Sequence, residues 1–311
     1  EHQVHGDNSL ASSSPAVDAK RVYIYWADPN SVTVLALTHD GKDVWKRNLG
    51  PYNSTFGGGT SPIVYDGMVI VNNDQAGNSS LIALDAATGK NRWKTNRQTV
   101  MVPYSTPWVL RRKGDKPQLI FISTVKGVSG VDPSNGKVLW SIGAPDDDSI
   151  RAVCSAVLAG DLIVATWGRG GNRRSGLAIR PGSADRKTKP KIAYWLEKPM
   201  HYSSTPVATG KLIFACTDSG DMQCINAETG EKHWSRDEDE GGFYSSPVLV
   251  GGRVYFTTKA GVMLVVSAAD KYKLLAKVSL GDETSATPAI ADGVMYIRTD
   301  SGLMSLGGKK K

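Results

Sequence analysis

The feature that most constrains this chain is a unit it writes repeatedly. The clearest copy is residues 203–234, SSTPVATGKLIFACTDSGDMQCINAETGEKHW. Ser204-Thr205-Pro206-Val207 opens a short strand that Thr209-Gly210 turns, and Leu212 to Cys216 reads as a second strand. Asp218-Ser219-Gly220-Asp221 is a hairpin turn, Met222 to Ile225 a third strand, Glu228-Thr229-Gly230-Glu231 another turn, and Lys232-His233-Trp234 a fourth strand. Glycine supplies the positive φ that tight hairpins need, and Asp and Asn close turns with their own side chains.

The opening strand recurs as Ser14-Pro15-Ala16-Val17, Ser61-Pro62-Ile63-Val64, Thr106-Pro107-Trp108-Val109, Ser155-Ala156-Val157-Leu158, Thr205-Pro206-Val207, Ser246-Pro247-Val248-Leu249 and Thr287-Pro288-Ala289-Ile290. A turn and a β-rich strand follow each start. The closing signature recurs at Asp40 to Trp45, Ala83 to Trp93, Asp132 to Trp140 and Thr229 to Trp234. With 33 Gly, 15 Pro and only short apolar runs, the composition fits many short strands joined by turns. A period of roughly 40 to 50 residues with four strands per period predicts an all-β fold, a β-propeller of four-stranded blades. One propeller domain over residues 1–311 is expected, with seven blades.

Two units depart from the pattern. The fourth has Arg169 to Arg174 at one turn, and Arg180 to Lys191 in place of the Thr-Gly turn before Tyr194-Trp195; the sixth has Leu275 where Trp is expected. The seventh stops at Leu303 to Leu306. Residues 1–5 are expected to add a strand there and close the seven-bladed ring. The alternative is an eight-bladed ring with a missing N-terminal segment.

The Ala83 to Trp93 run, A-x-D-x-x-T-G-K-x-x-W, together with the Ser/Thr-Pro starts, resembles the pyrroloquinoline-quinone (PQQ)-like propeller repeat of quinoprotein dehydrogenases and of BamB-like envelope scaffold proteins. The resemblance implies an architectural role for Trp45, Trp93, Trp140 and Trp234 as wedges between blades. It also implies an exported protein of a bacterial periplasm or cell envelope, whose partner is another protein or an envelope component. A start at Glu1 rather than Met accords with a processed or trimmed chain.

Three function classes stand in view. A non-catalytic interaction platform, with no cofactor, is the first. A PQQ-dependent dehydrogenase is the second, and would carry PQQ with calcium; the resemblance implies for it a vicinal Cys-Cys pair, whereas Cys154, Cys216 and Cys224 are separated. A carbohydrate-binding propeller is the third. The net charge of +7 is mild, and no strand interleaves aromatic and basic residues, so nucleic acid is not expected. No apolar run is long enough to span a membrane, and a monomer is expected. The five His show no metal spacing, and the acidic runs Asp146 to Asp148 and Asp237 to Glu240 read as wet loops rather than calcium ligands. Cys216 and Cys224 lie on strands joined by a short turn, which leaves a cross-strand disulfide or two buried thiols open.

The place for function is the propeller face formed by the loops entering the innermost strands. These loops carry Phe56, Tyr104, Arg151, His201, Tyr202, Phe243 and Tyr244, a collar suited to a partner segment or a sugar, or rings that plug the blade ends. The second candidate is the basic fourth-blade insertion, with Arg169, Arg173, Arg174, Lys187 and Lys189, which reads alternatively as a solvated loop.

Overall fold

The structure, a computed structural model, describes residues 12–54, 57–143, 151–169, 174–196 and 203–307. All regular elements among them are strands. They form seven antiparallel sheets, each ordered as the chain runs: six four-stranded, and a last one of three strands among the described residues. This is the seven-bladed β-propeller class that the repeat predicts. The closing strand expected from residues 1–5 lies outside the described residues.

Sandwiching explains the composition of the inner strands. Met68–Asn73, Gln118–Ser123 and Leu162–Gly168 are buried at every position, so they read as continuous runs rather than as an in/out alternation. The chain divides into two compact units. In the first, Tyr23, Tyr25 and Val34 of the first sheet pack on Val69, Val71 and Ile82 of the second, whose other face packs Ile70, Leu81 and Trp93 on Leu119 and Phe121 of the third. In the second, Phe214, Met222 and Trp234 of the fifth sheet meet Val254, Phe256 and Leu264 of the sixth.

Why the closing Trp recurs is visible in the strand register. Trp45, Trp93, Trp140 and Trp234 stand opposite Ala36, Ala83, Gly130 and Cys224, all small, and the register shifts one step later in each sheet. The small partner makes room for the indole: a Cβ on Gly130 would lie 2.3 Å from the Trp140 ring. In the sixth sheet the same register places Ala276 opposite Val265. Leu275, expected in the Trp position, instead falls at the bulge, which turns it outward to 41% exposure.

Three of the four indole N–H groups reach the next sheet, whereas Trp140 Nε1 donates to Gln118 Oε1 of its own sheet at 2.7 Å. Trp45 Nε1 donates to Ala86 O at 3.0 Å, Trp93 Nε1 to Pro133 O at 2.8 Å, and Trp234 Nε1 to Ala269 O at 3.1 Å. The first two acceptors lie in turns tightened by an Asp. Asp85 accepts from the N–H groups of Ala87 and Thr88, and Asp132 from that of Ser134. The glycines closing those turns have φ of +68° at Gly89 and +75° at Gly136, and both lie against an indole. A Cβ on Gly89 would come within 2.7 Å of the Trp45 ring, and one on Gly136 within 2.5 Å of Trp93. Glycine is needed there twice over, for the left-handed backbone and for the close approach.

The fourth sheet uses Tyr194 in the wedge place. Its hydroxyl donates to Ala227 O at 2.5 Å, and its ring covers Gly230. Desolvation pushes its phenol up to about 12, which keeps it a donor at neutral pH. Sequence periodicity looked for Trp alone and left Tyr194 without a role.

The Ser/Thr-Pro starts also acquire a physical function. Ser14 N donates to Ser61 Oγ, Thr106 N to Ser155 Oγ, Thr205 N to Ser246 Oγ and Ser246 N to Thr287 Oγ1, each at 2.9 Å. The following Pro holds the preceding residue extended, which aims its N–H at the neighbouring sheet. A hydroxyl at that position links innermost strands at about 0.5–1.5 kcal/mol per bond.

Candidate functional site

In a sheet whose strands follow chain order, the loop entering the innermost strand and the hairpin between the second and third strands share one end. In the first unit this end holds Tyr104 and Arg151. Tyr104 N donates to Ala152 O at 2.8 Å, and its ring lies so close to Gly59 that a Cβ there would stand 2.6 Å from Cδ1. Tyr104 is half-buried, and beside it Tyr25 and Tyr52 are buried outright. Desolvation raises the phenols of both Tyr25 and Tyr52 above their ordinary range, so these two present neutral rings. Arg151 is fixed by its backbone: Arg151 N donates to Gly168 O at 2.7 Å, and Gly168 N to Arg151 O at 2.8 Å. Phe56 lies outside the described residues.

The same end contains a charged pair that residue patterning missed. Asp74, after the strand Met68–Asn73, faces Arg97, the last residue of Asn91–Arg97, at 3.2 Å. Asp74 Oδ1 also accepts from Ser79 Oγ at 2.6 Å. Their side chains are 0% and 4% exposed. Desolvation raises the Asp74 carboxyl, against the opposing pull of Arg97 and Ser79. The available signal was the polar run Asn72-Asn73-Asp74-Gln75, which follows directly on a fully buried strand. Gln75 ties the loops together, accepting from Asn53 N at 2.7 Å and donating to Pro51 O at 3.2 Å.

In the second unit the structure separates the two aromatic neighbours. Phe243 is 1% exposed and packs edge-on against Phe256 at 6.1 Å between ring centroids, so it belongs to the core rather than to an accessible face. Tyr244, the next residue, points the other way and is 37% exposed, with the Lys259 ammonium 4.6 Å from its ring centroid. His201 and Tyr202 lie outside the described residues. Nearby, Arg174 pairs with Asp218 at 2.6 Å. The acidic run is largely engaged: Glu238 accepts from the Tyr272 hydroxyl at 2.6 Å, Glu240 pairs with Lys277, and Asp237 accepts from Asp239 N at 2.8 Å. The run Asp146 to Asp148 lies outside the described residues.

The basic insertion is not one patch. Arg169 follows the strand Leu162–Gly168 at one end of the fourth sheet, whereas Lys187 and Lys189 lie beyond Arg180, at the far end of the strand Arg174–Arg180. Arg173 lies outside the described residues.

Quinone chemistry with calcium needs oxygen ligands around the metal. Among the described residues no group of three or more His, Cys, Asp or Glu is placed to hold a metal ion. Asp74, the one described carboxylate raised above its ordinary range, has its oxygens turned to Arg97 and Ser79 inside the protein. The three cysteines are buried thiols joined by no disulfide, and desolvation pushes the Cys224 thiol up to about 12. The described residues do not fit PQQ and calcium.

Comparison with known proteins gives the chain its relatives. The family model described as "Outer membrane protein assembly factor BamB" matches residues 3–170 and 126–273. No curated protein sequence matches the chain. Among solved structures, BamB from Moraxella catarrhalis is similar with a TM-score of 0.71 at 13% identity, over 94% of this chain and 84% of that one. A europium-containing methanol dehydrogenase is similar with a TM-score of 0.70, also at 13% identity, over 91% of this chain and 72% of that one. At such identity the structural likenesses speak for the fold alone, but the family model spans most of the sequence. The chain belongs to the PQQ-like repeat family whose model is described as outer membrane protein assembly factor BamB.

Proposed function

We propose that this protein is a non-catalytic propeller of the bacterial cell envelope, exported to the periplasm, that holds a protein partner through loops entering its innermost strands. The observation that carries this reading is the sealing of the Asp74–Arg97 pair. A catalytic carboxylate must meet substrate, and this one is buried to 0% exposure against its own arginine. What the loops offer to a visitor is Tyr244 with Lys259 over its ring, and half-buried Tyr104 held by its backbone. Rings with polar tips on rigid loops give contact area at small entropic cost. The chain acts as a single domain and as a monomer in this reading.

The test is affinity capture from the native envelope with wild type, Tyr104→Ala and Tyr244→Ala. Recovery of a discrete protein that either substitution loses supports the proposal; no specific partner overturns it. Dye-linked oxidation of alcohols or sugars after reconstitution with PQQ and calcium would replace it with the enzyme class. Retention on a glycan array that Tyr244→Ala abolishes would replace it with a carbohydrate-binding propeller.

A further inference from the structure

Ten of the 37 Lys and Arg lie in three short segments, 111–116, 132–137 and 180–191, beside only three carboxylates, Asp115, Asp132 and Asp185. The surplus equals the +7 of the whole chain, so the remaining residues balance. All three segments are turns: between the strands Trp108–Leu110 and Gln118–Ser123, between Gly127–Val131 and Val138–Ile142, and between Arg174–Arg180 and Lys191–Trp195. They belong to the same compact unit and lie at the end of their sheets opposite Tyr104 and Arg151.

The chain clamps the first and third segments together. Arg112 donates to Asp115 at 2.5 Å, to Gly182 O at 2.7 Å and to Pro181 O at 3.2 Å. Ala184 N donates to Asp115 Oδ1 at 3.0 Å, and Gln118 Nε2 to Gly182 O at 3.0 Å. Arg186 reaches the edge strand, donating to Val138 O at 3.0 Å and to Leu139 O at 3.3 Å. Asp185 pairs with Lys187. These contacts engage the Arg112 and Arg186 guanidinium groups, Arg111 lies over the Tyr65 ring at 5.4 Å, and Arg180 is exposed. The exposed remainder is dominated by ammonium groups: Lys113, Lys116, Lys137, Lys187, Lys189 and Lys191.

We infer that this end of the protein docks on an anionic phospholipid bilayer, its lysines against the headgroup phosphates. Three observations select that partner. The three segments contain no aromatic residue, whereas protein interfaces enrich aromatics and deplete Lys, and single-stranded nucleic acid wants rings for stacking. Arg112 and Arg186 spend guanidinium donors on protein oxygens and Arg111 lies over Tyr65, so six exposed lysines, with Arg180, supply mainly hydrated point charges suited to a diffuse anionic plane. The charges also stand on turns clamped to one another, so binding orders little chain.

The test is co-sedimentation of the full chain with phosphatidylcholine vesicles, with and without phosphatidylglycerol, at low and high salt. Two charge-reversed variants are compared with wild type: Lys113→Glu with Lys116→Glu, and Lys187→Glu with Lys189→Glu. Lys232→Glu with Lys271→Glu, exposed residues of the other unit, serves as control. Each positive charge removed lowers the partition coefficient roughly fivefold. The expected result is binding only to phosphatidylglycerol vesicles, abolished by salt and by either patch variant but retained by the control. Absence of vesicle binding, equal binding to phosphatidylcholine, or equal loss in the control overturns the inference. So does patch-dependent binding to duplex DNA or polyglutamate without vesicle binding. Partner capture through Tyr244 is scored separately, so the failure of one reading leaves the other standing.

Discussion

Replacing Gly136 by Ala isolates the fit between one sheet's turn and the preceding sheet's wedge. Gly136 has φ of +75°, and an added Cβ would sit 2.5 Å from Trp93 Cε3 and 2.6 Å from Thr95 Oγ1. Two costs follow. The left-handed backbone costs Ala about 1 kcal/mol, and forcing a methyl against a packed indole costs about 1–3 kcal/mol more. Gly114 supplies the reference, because its φ is +77° and nothing lies within 4 Å of its added Cβ. Gly114→Ala should therefore lose about 1 kcal/mol, and Gly136→Ala about 2–4 kcal/mol. Urea unfolding reads the difference as a lower midpoint at unchanged slope. Heating reads it as a further fall in Tm, at about 2 °C per kcal/mol for a chain of this size. In a Trp93→Leu background the penalty at Gly136 should drop towards that at Gly114, a coupling of at least about 1 kcal/mol. If Gly136→Ala and Gly114→Ala shift the midpoint equally, the wedge contact carries no energy and the reasoning fails.

Tyr194→Phe removes the hydroxyl that donates to Ala227 O, and should cost about 0.5–1.5 kcal/mol in urea unfolding, while an unchanged midpoint would deny Tyr194 its wedge role. Asp282 is held at about 2 by hydrogen bonds from the Ser301 side chain and then its backbone. Its folded pKa is depressed, so its contribution is full above the ordinary value of 3.8 and is lost as pH falls through about 2; Asp282→Asn should lower stability at neutral pH and flatten the acid limb between those values. The three buried cysteines should react with a thiol reagent only on unfolding, and a thiol that titrates rapidly in the native protein would contradict their placement.

The fold was legible because the repeat is written in residues with stereochemical duties. Thr-Gly turns, Ser/Thr-Pro starts and the closing Trp recur closely enough that sheet number and strand order could be counted. The wedge in the fourth sheet was not, because Tyr194 does the work of Trp through a hydroxyl rather than an indole N–H, and residue type alone hides that equivalence. Leu275 was placed one residue off for a local reason: the bulge beside Val265 adds a residue to the outer strand. Candidate site residues were harder. Sequence position separated Phe243 from Tyr244 by one residue, and only backbone direction decides which of them faces water. Arg169 and Lys187 looked like one basic feature in the chain, yet a full strand stands between the turns that carry them. The Asp74–Arg97 pair joins a loop residue to the last residue of a strand, and no periodicity announces a contact of that kind.

Three of the closing indoles bond forward along the chain, whereas Trp140 Nε1 donates back to Gln118 Oε1 and Trp167 Nε1 back to Ser123 O. Trp45 waits for Ala86, Trp93 for Pro133, and Trp234 for Ala269, each acceptor lying 35 to 41 residues further along the chain. During synthesis from the N-terminus, the first, second and fifth sheets therefore expose an indole tip until the turn of the following sheet emerges. Nascent chains arrested just before and just after Pro133 should differ in protection of the Trp93 indole, although every atom of its own sheet has already been made.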